Sequence, residues 1–337
     1  MTETPKASDH FARSRRALNG NPIALAMEEY DRTRAIIDGT VKIQGIEPKI
    51  VSLSSAERHR RMLSKEEFDV CELSMSSFLM AKTRGTRITG LPIFPRRLFP
   101  QSFIYINRAS GIRAPRDLIG KKIGVPMYQV TMVMLVKGFL QHEYDVRPQD
   151  ITWVAAREEL IPFNRPPNIR IERAPSDSAI YGMLADGTID CVVHPDVIPP
   201  FEEHPERVAR LFPDFKDQEI KYYRKTGIYP IMHIIVVKDR ILQQYPTIPA
   251  SLSEAFDQAK RLCYEFLGHP PNSSLVWSRQ HLEEQTAILG ADPFPYGLEK
   301  NRDAVKQLIQ YSREQGLIDY EPTVEELFHK TDGKSGN

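Results

Sequence analysis

The sequence predicts an α/β protein built as a two-lobed clamshell, and three observations carry that expectation. Short apolar runs alternate with amphipathic stretches through most of the 337 residues, the pattern of a sheet covered by helices. A second set of such runs begins after a polar link, NRASGIRAPRDL. A long apolar run, GIYPIMHIIVVKD, then leads into a mainly helical end, as if the chain builds one lobe, inserts another and returns. The expected boundaries are 1–20 for a disordered tail, 21–107 plus 228–337 for the first lobe, and 108–227 for the inserted second lobe.

Taken in order, IALAM (23–27) is a strand and YDRTRAIIDG a helix. IEPKIVSL (46–53) is a second strand, followed by a polar helix, AERHRRMLSK. FDVCELS (68–74) runs into the helix MSSFLMAKTRG, and ITGLPIF and SFIYIN are two further strands. This alternation argues for a parallel sheet. In the second set, KKIGVP (121–126) is a strand and QVTMVMLVKGFLQHEY (129–144) a helix with a broad apolar face. DITWVAA is a strand, and DSAIYGMLADGTIDCVV reads as helix, turn at Asp186-Gly187, and strand. The run at 228–238 is rich in β-branched residues and has no polar alternation, so it is expected to be buried on both faces. In SLSEAFDQAKRLCYEFL, the residues Leu252, Phe256, Ala259, Cys263 and Phe266 share one helical face. NRDAVKQLIQYSREQG is a last amphipathic helix, closed by Gly316.

Composition narrows the function. Lys+Arg 45 against Asp+Glu 44 leaves a net charge of +1, which supports neither nucleic-acid binding nor a polybasic membrane anchor. No run approaches the length of a membrane span, and MTETPKASDHFARSRRALNGNP has no apolar core of a signal peptide. The three cysteines, Cys71, Cys191 and Cys263, are scattered and lack metal-type spacing. They read as buried free thiols in a reducing compartment. A cytoplasmic homo-oligomer that meets neither membrane nor nucleic acid is expected.

Candidate chemistry lies at strand ends, since ligands of open α/β sheets sit beyond the carboxyl ends of strands. His233 is embedded in the apolar run, where an imidazole must find partners inside the protein. It is either a core residue tied to a backbone carbonyl or a working group. At the junction Tyr30-Asp31-Arg32-Thr33, Arg32 offers a planar fork for a carboxylate. Equally, Asp31 caps the helix and Arg32 is solvated. Glu72, Ser74, Ser76 and Ser77 follow the FDVCELS strand, and so many hydroxyls exceed what one cap requires. Tyr128 and Gln129 would meet a ligand from the second lobe, with Thr131 as a site residue or a cap. Arg96 and Arg97 suit an anionic substrate or are a solvated pair, and His194 ends another strand. HExxH, CxxC, GxGxxG, Walker and GxSxG motifs are absent from the sequence, so no metal and no organic cofactor are expected.

YDRTRAIIDG, FDVCELSMSSFLMA, DLIGKKIGVPMYQVTMVMLVKGFL, DITWV and GIYPIMHIIVVKD together resemble the 4,5-dihydroxyphthalate decarboxylase family, whose fold is similar to type II periplasmic binding proteins. The resemblance runs from about residue 22 to about residue 325. It implies a small aromatic diacid as substrate, with 4,5-dihydroxyphthalate converted to protocatechuate and CO2 without a cofactor. His233 would be the acid, Arg32 with Arg96 or Arg97 would hold carboxylate, and Glu72 or Asp31 would polarise the phenolic hydroxyl. Tyr30, Ser74, Ser76, Ser77, Tyr128, Gln129, Thr131 and His194 would supply the other contacts. The alternatives are a non-catalytic binding protein or sensor for an aromatic carboxylate, or a dehydratase on the same scaffold.

Overall fold

The computed structural model describes residues 22–329. The expected tail over 1–20 lies outside them. The chain opens with β1 (Ile23–Met27), α1 (Arg34–Ile37), β2 (Pro48–Ser52), α2 (Ser55–Lys65), β3 (Val70–Ser74), α3 (Met75–Thr83) and β4 (Ile88–Leu91). It continues through β5 (Ile104–Asn107), β6 (Lys122–Val125), α4 (Thr131–Tyr144), β7 (Thr152–Ala155) and β8 (Arg170–Arg173). Next come α5 (Asp177–Asp186), β9 (Cys191–Val193), α6 (Pro199–Glu203), β10 (Val208–Arg210) and α7 (Phe215–Thr226). It returns through β11 (His233–Lys238), α8 (Asp239–Gln244), α9 (Ile248–Gly268), α10 (Ser278–Leu289), α11 (Arg302–Glu314) and α12 (Val324–Leu327).

These strands form two sheets, one of five strands in the order β2-β1-β3-β11-β4 and one of six in the order β10-β5-β9-β6-β7-β8. β1 is parallel to β2 and β3, and β6 to β7 and β9. The parallel expectation fails at β11 and β5. β11 is antiparallel to β3 and β4, and β5 to β9 and β10. The reason is where each strand comes from. A βαβ unit ends its strands at the cleft, so a strand arriving from the other lobe starts at the cleft and runs away from it. β5, assigned to the first lobe by the sequence reading, therefore belongs to the second sheet, and the change of lobe precedes residue 104.

The antiparallel entry puts the first residue of β11 at the carboxyl end of β3, with His233 opposite Ser74 and Ile235 opposite Glu72. β11 is buried through Val237, as its unbroken apolar run requires. Near the crossing, the Arg96 carbonyl accepts from the backbone N–H of Met232 and of His233, and Arg97 bridges to Ile231. Helix α11 packs against both α3 and α4. Its Gln315 neighbour donates to the Met134 carbonyl at 2.9 Å, and the Tyr311 ring lies where a Cβ on Gly138 would meet it at 2.2 Å.

Candidate active site

Glu72 is the centre of the polar construction. It sits on β3, fully buried, so every lone pair must be met inside the protein. Its Oε1 accepts from the Tyr30 hydroxyl at 2.7 Å and contacts His233 Nδ1 at 2.6 Å. Its Oε2 accepts from the backbone N–H of Glu28 at 2.9 Å. Arg58, also fully buried, brings Nη2 to 3.3 Å from Glu72 Oε1 and donates Nε–H to the Glu72 carbonyl at 2.8 Å. Glu28 completes the group: its Oε2 accepts from Ser55 at 2.6 Å and lies 3.9 Å from Arg96.

These contacts fix protonation states. Burial alone would raise the Glu72 carboxyl, but Arg58 and the hydrogen bond from His233 outweigh it and hold the group well below the usual carboxylate range. Burial raises the Tyr30 hydroxyl, and Glu72 and Glu28 raise it further, so it stays a neutral donor. Burial pushes the His233 imidazole down against the opposing pull of Glu72. An ionised Glu72 can only accept, so Nδ1 of His233 carries the proton. Nε2 keeps a lone pair and faces the cavity that His233 helps to line.

That cavity, of about 210 Å3, lies between the two sheets. One wall carries Glu28, Ser55, His59, Ser74, Ser77, Arg96 and His233. The other carries Thr131, Arg157, His194 and Asp196, with Met127, Val130 and Leu160 as apolar surface. Polar contacts cross between them: the Ser74 and Thr131 hydroxyls are 2.7 Å apart, and Arg96 Nη2 is 3.3 Å from Asp196. His194 is held from both sides, its Nε2 3.1 Å from the Tyr181 hydroxyl and its Nδ1 accepting from the Asp196 N–H at 3.1 Å.

Thus His233, Ser74, Ser77, Arg96, Thr131 and His194 share one cavity, with Glu72 and Tyr30 immediately behind His233. Other candidates lie elsewhere. Asp31 is exposed and accepts from its neighbour Arg32. The Arg32 guanidinium donates to the Pro95 carbonyl at 2.8 Å and stacks between the Tyr30 and Phe294 rings. Arg97 is buried on the far side of the crossing, donating to the carbonyls of Tyr229 and Pro295 and to Asn301. Tyr128 is fully buried, its ring stacked on Phe163 and covered by the Lys137 Nζ. Gln129 is buried too, with its side-chain oxygen turned to the N–H groups of Leu160 and Ile161. The backbone N–H groups of Tyr128 and Gln129 are taken by the Glu159 carboxylate at 2.7 and 3.0 Å, so that junction is filled from within. Ser76 is buried, and its N–H donates to Thr131.

Sequence reasoning missed Glu28, Arg58, His59 and Arg157. For α2 a signal existed. Ser55, Arg58, His59 and Met62 are spaced as one helical face, and that face is the one turned inward. Glu28, Glu72 and His233 each offer a ligand atom within 4.8 Å of one another, the spacing of a metal site. Arg58 reaches both carboxylates, at 3.5 and 3.3 Å, and supplies the positive charge such a cation would bring.

The architecture is that of the periplasmic binding proteins. A crystal structure of the periplasmic aliphatic sulphonate binding protein SsuA from Escherichia coli superposes with a TM-score of 0.55 at 10% identity, over 95% of each chain. A family described as NMT1/THI5 like matches residues 38–162. The sequence is 32% identical over 316 residues to the 4,5-dihydroxyphthalate decarboxylase of Comamonas testosteroni, covering 91% of this chain and 96% of that one. A protein of the same name from Pseudomonas putida is 33% identical over 221 residues, 64% of this chain and 86% of that one. The chain belongs to the 4,5-dihydroxyphthalate decarboxylase family, and it is a carboxy-lyase.

Proposed function

We propose that the substrate is 4,5-dihydroxyphthalate, which this protein converts to protocatechuate and CO2 without an added cofactor. The observation that carries the reading is His233: a buried, ionised Glu72 holds its Nδ1–H, and its Nε2 opens on a cavity lined by Arg96 and Arg157. Each carboxylate of the diacid is para to a hydroxyl, so the ring itself is the electron sink. In the first step the hydroxyl gives its proton to Nε2 and its electron density moves to the carbon bearing the carboxylate. That carbon gains a proton; the bond to the carboxylate breaks, its electron pair restoring the ring as CO2 leaves. His233 then returns its proton to the phenolate, and one proton is consumed per CO2. Glu72 stabilises the imidazolium that forms in between. The Arg96 and Arg157 guanidinium groups suit the two carboxylates, one from each side of the cavity.

The test is to incubate the protein with carboxyl-labelled 4,5-dihydroxyphthalate and follow labelled CO2 and protocatechuate. Tight binding without CO2 would instead make it a binding protein or sensor for an aromatic acid. Self-association into a homo-oligomer also belongs to this reading, supported by Leu275, Val276 and Trp277, which are 67%, 88% and 68% exposed. A cytoplasmic location fits the three free cysteines, and cell fractionation checks it.

A further inference from the structure

We infer that His59 is a second proton carrier of this site: the His59–His233 pair takes up one proton when the dicarboxylate binds, and His59 delivers that proton to the ring carbon that loses CO2. The inference rests on the decarboxylase reading above and adds the donor that His233 alone cannot be. While His233 Nε2 holds the phenolic proton, a separate group must protonate the carbon on the opposite side of the ring.

His59 stands in the right place. It projects from α2 into the same cavity as His233, and the two rings meet edge to face with centroids 5.0 Å apart. Its Nε2 is buried without a hydrogen-bond partner among the described residues. A purely structural imidazole would be paired, because an orphaned buried nitrogen costs free energy. Two imidazoles on one cavity, one anchored and one unpaired, suit an acceptor and a donor acting on different atoms of one ring.

Charge gives the second argument. Around the pair stand Arg58 on the same helix, Glu72 on β3, Arg96 from the crossing segment and Glu28 after β1. Arg157 and Asp196 face them from the other wall, and Arg157 Nε lies 3.3 Å from Asp177. Glu28, Glu72, Asp196 and Asp177 together outnumber Arg58, Arg96 and Arg157 by one, so an arriving dianion finds no surplus cation. A proton on an imidazole is the available counter-charge near neutral pH. Burial, His233 and Arg58 all push the His59 imidazole down, so it rests neutral and is charged with the ligand. In the chemical step the proton on His59 forms the new C–H bond. The C–C bond breaks with its electrons entering the ring, CO2 leaves, and His59 is neutral again.

The experiment is calorimetric titration of the intact protein with phthalate, which lacks the hydroxyls and cannot react, in buffers of different protonation enthalpy. Wild type is expected to take up about one proton per phthalate bound, and His59→Gln about none while still binding. The variant should lose ~10²–10⁴-fold in kcat on 4,5-dihydroxyphthalate with little change in KM. On the wild-type protein, imidazole ¹⁵N shifts should move one ring from neutral to protonated as phthalate is added, which keeps the test valid if the variant does not fold. Binding without proton uptake, uptake unchanged in folded His59→Gln, or failure of phthalate to bind overturns the inference. CO2 release without uptake sinks this inference alone; uptake without CO2 release sinks the decarboxylase reading.

Discussion

The buried Glu72 carboxylate has four polar partners, Tyr30, His233, Arg58 and the Glu28 N–H. Glu72→Gln keeps the shape and removes the charge, leaving the Arg58 guanidinium without its nearest full counter-charge. Breaking a buried pair in this way costs ~3–5 kcal/mol, readable in chemical denaturation, and it removes the anion that in the proposed mechanism would support a His233 imidazolium. The variant is expected to be less stable and to lose kcat more than affinity. The pH dependence of stability has a definite sign. His59 and His233 are both held below the ordinary imidazole value, so the unfolded chain binds protons first as pH falls. Their contribution is complete above ~6.5 and declines below it. Glu72, depressed in the folded state, adds stability above ~4.3, which is lost as pH falls further towards its folded value. The thermal midpoint should therefore drop between pH 7 and 5, and less steeply in His59→Gln. At this scale the strand-end residues were legible, because a histidine in an apolar run and a glutamate before a row of serines are conspicuous. Arg58 and His59 were not, since α2 reads as a polar helix unless its Ser55–Met62 face is traced.

Elements explain the misplaced candidates. A junction between strand and helix predicts free N–H groups, but not whether a distant carboxylate such as Glu159 will take them. Adjacent arginines on an extended segment point to opposite sides, so Arg96 enters the cavity while Arg97 ties the crossing to the Pro295–Asn301 region. Strand positions were readable from the apolar runs; strand directions depended on which lobe the chain came from, and no local pattern records that. Helix α10 buries none of its residues. It follows the exposed Leu275–Trp277 stretch, an apolar surface that a second copy could cover, while its own charges are met within the chain, Arg279 by Glu283 and Glu284 by Lys216. Trp277→Ser with Leu275→Ser is expected to shift sedimentation from oligomer to monomer without lowering the rate per subunit by more than about two-fold. Unchanged sedimentation would remove this surface as the contact.

In the proposed site His233 and His59 stand on one side of the cavity and Arg157 and His194 on the other, so residues from both sheets line it. The chain crosses between the lobes near Leu98 and Pro230, where the backbones pair, and α11 packs on helices from both. The two-lobed plan was legible from the repeated α/β set and the returning apolar run. The cavity was not, because it depends on side chains such as Thr131 and Ser74 meeting across the cleft.

The central claim is that this cavity decarboxylates the diacid through His233. The direct measurement is the rate of CO2 release from 4,5-dihydroxyphthalate by wild type and His233→Asn, taken with phthalate affinity and thermal midpoint for both. His233→Asn is expected to fold, to bind phthalate and to turn over ~10²–10⁴-fold more slowly. A variant that releases CO2 at the wild-type rate, or that loses activity only because it unfolds, would make His233 a core residue and contradict the account.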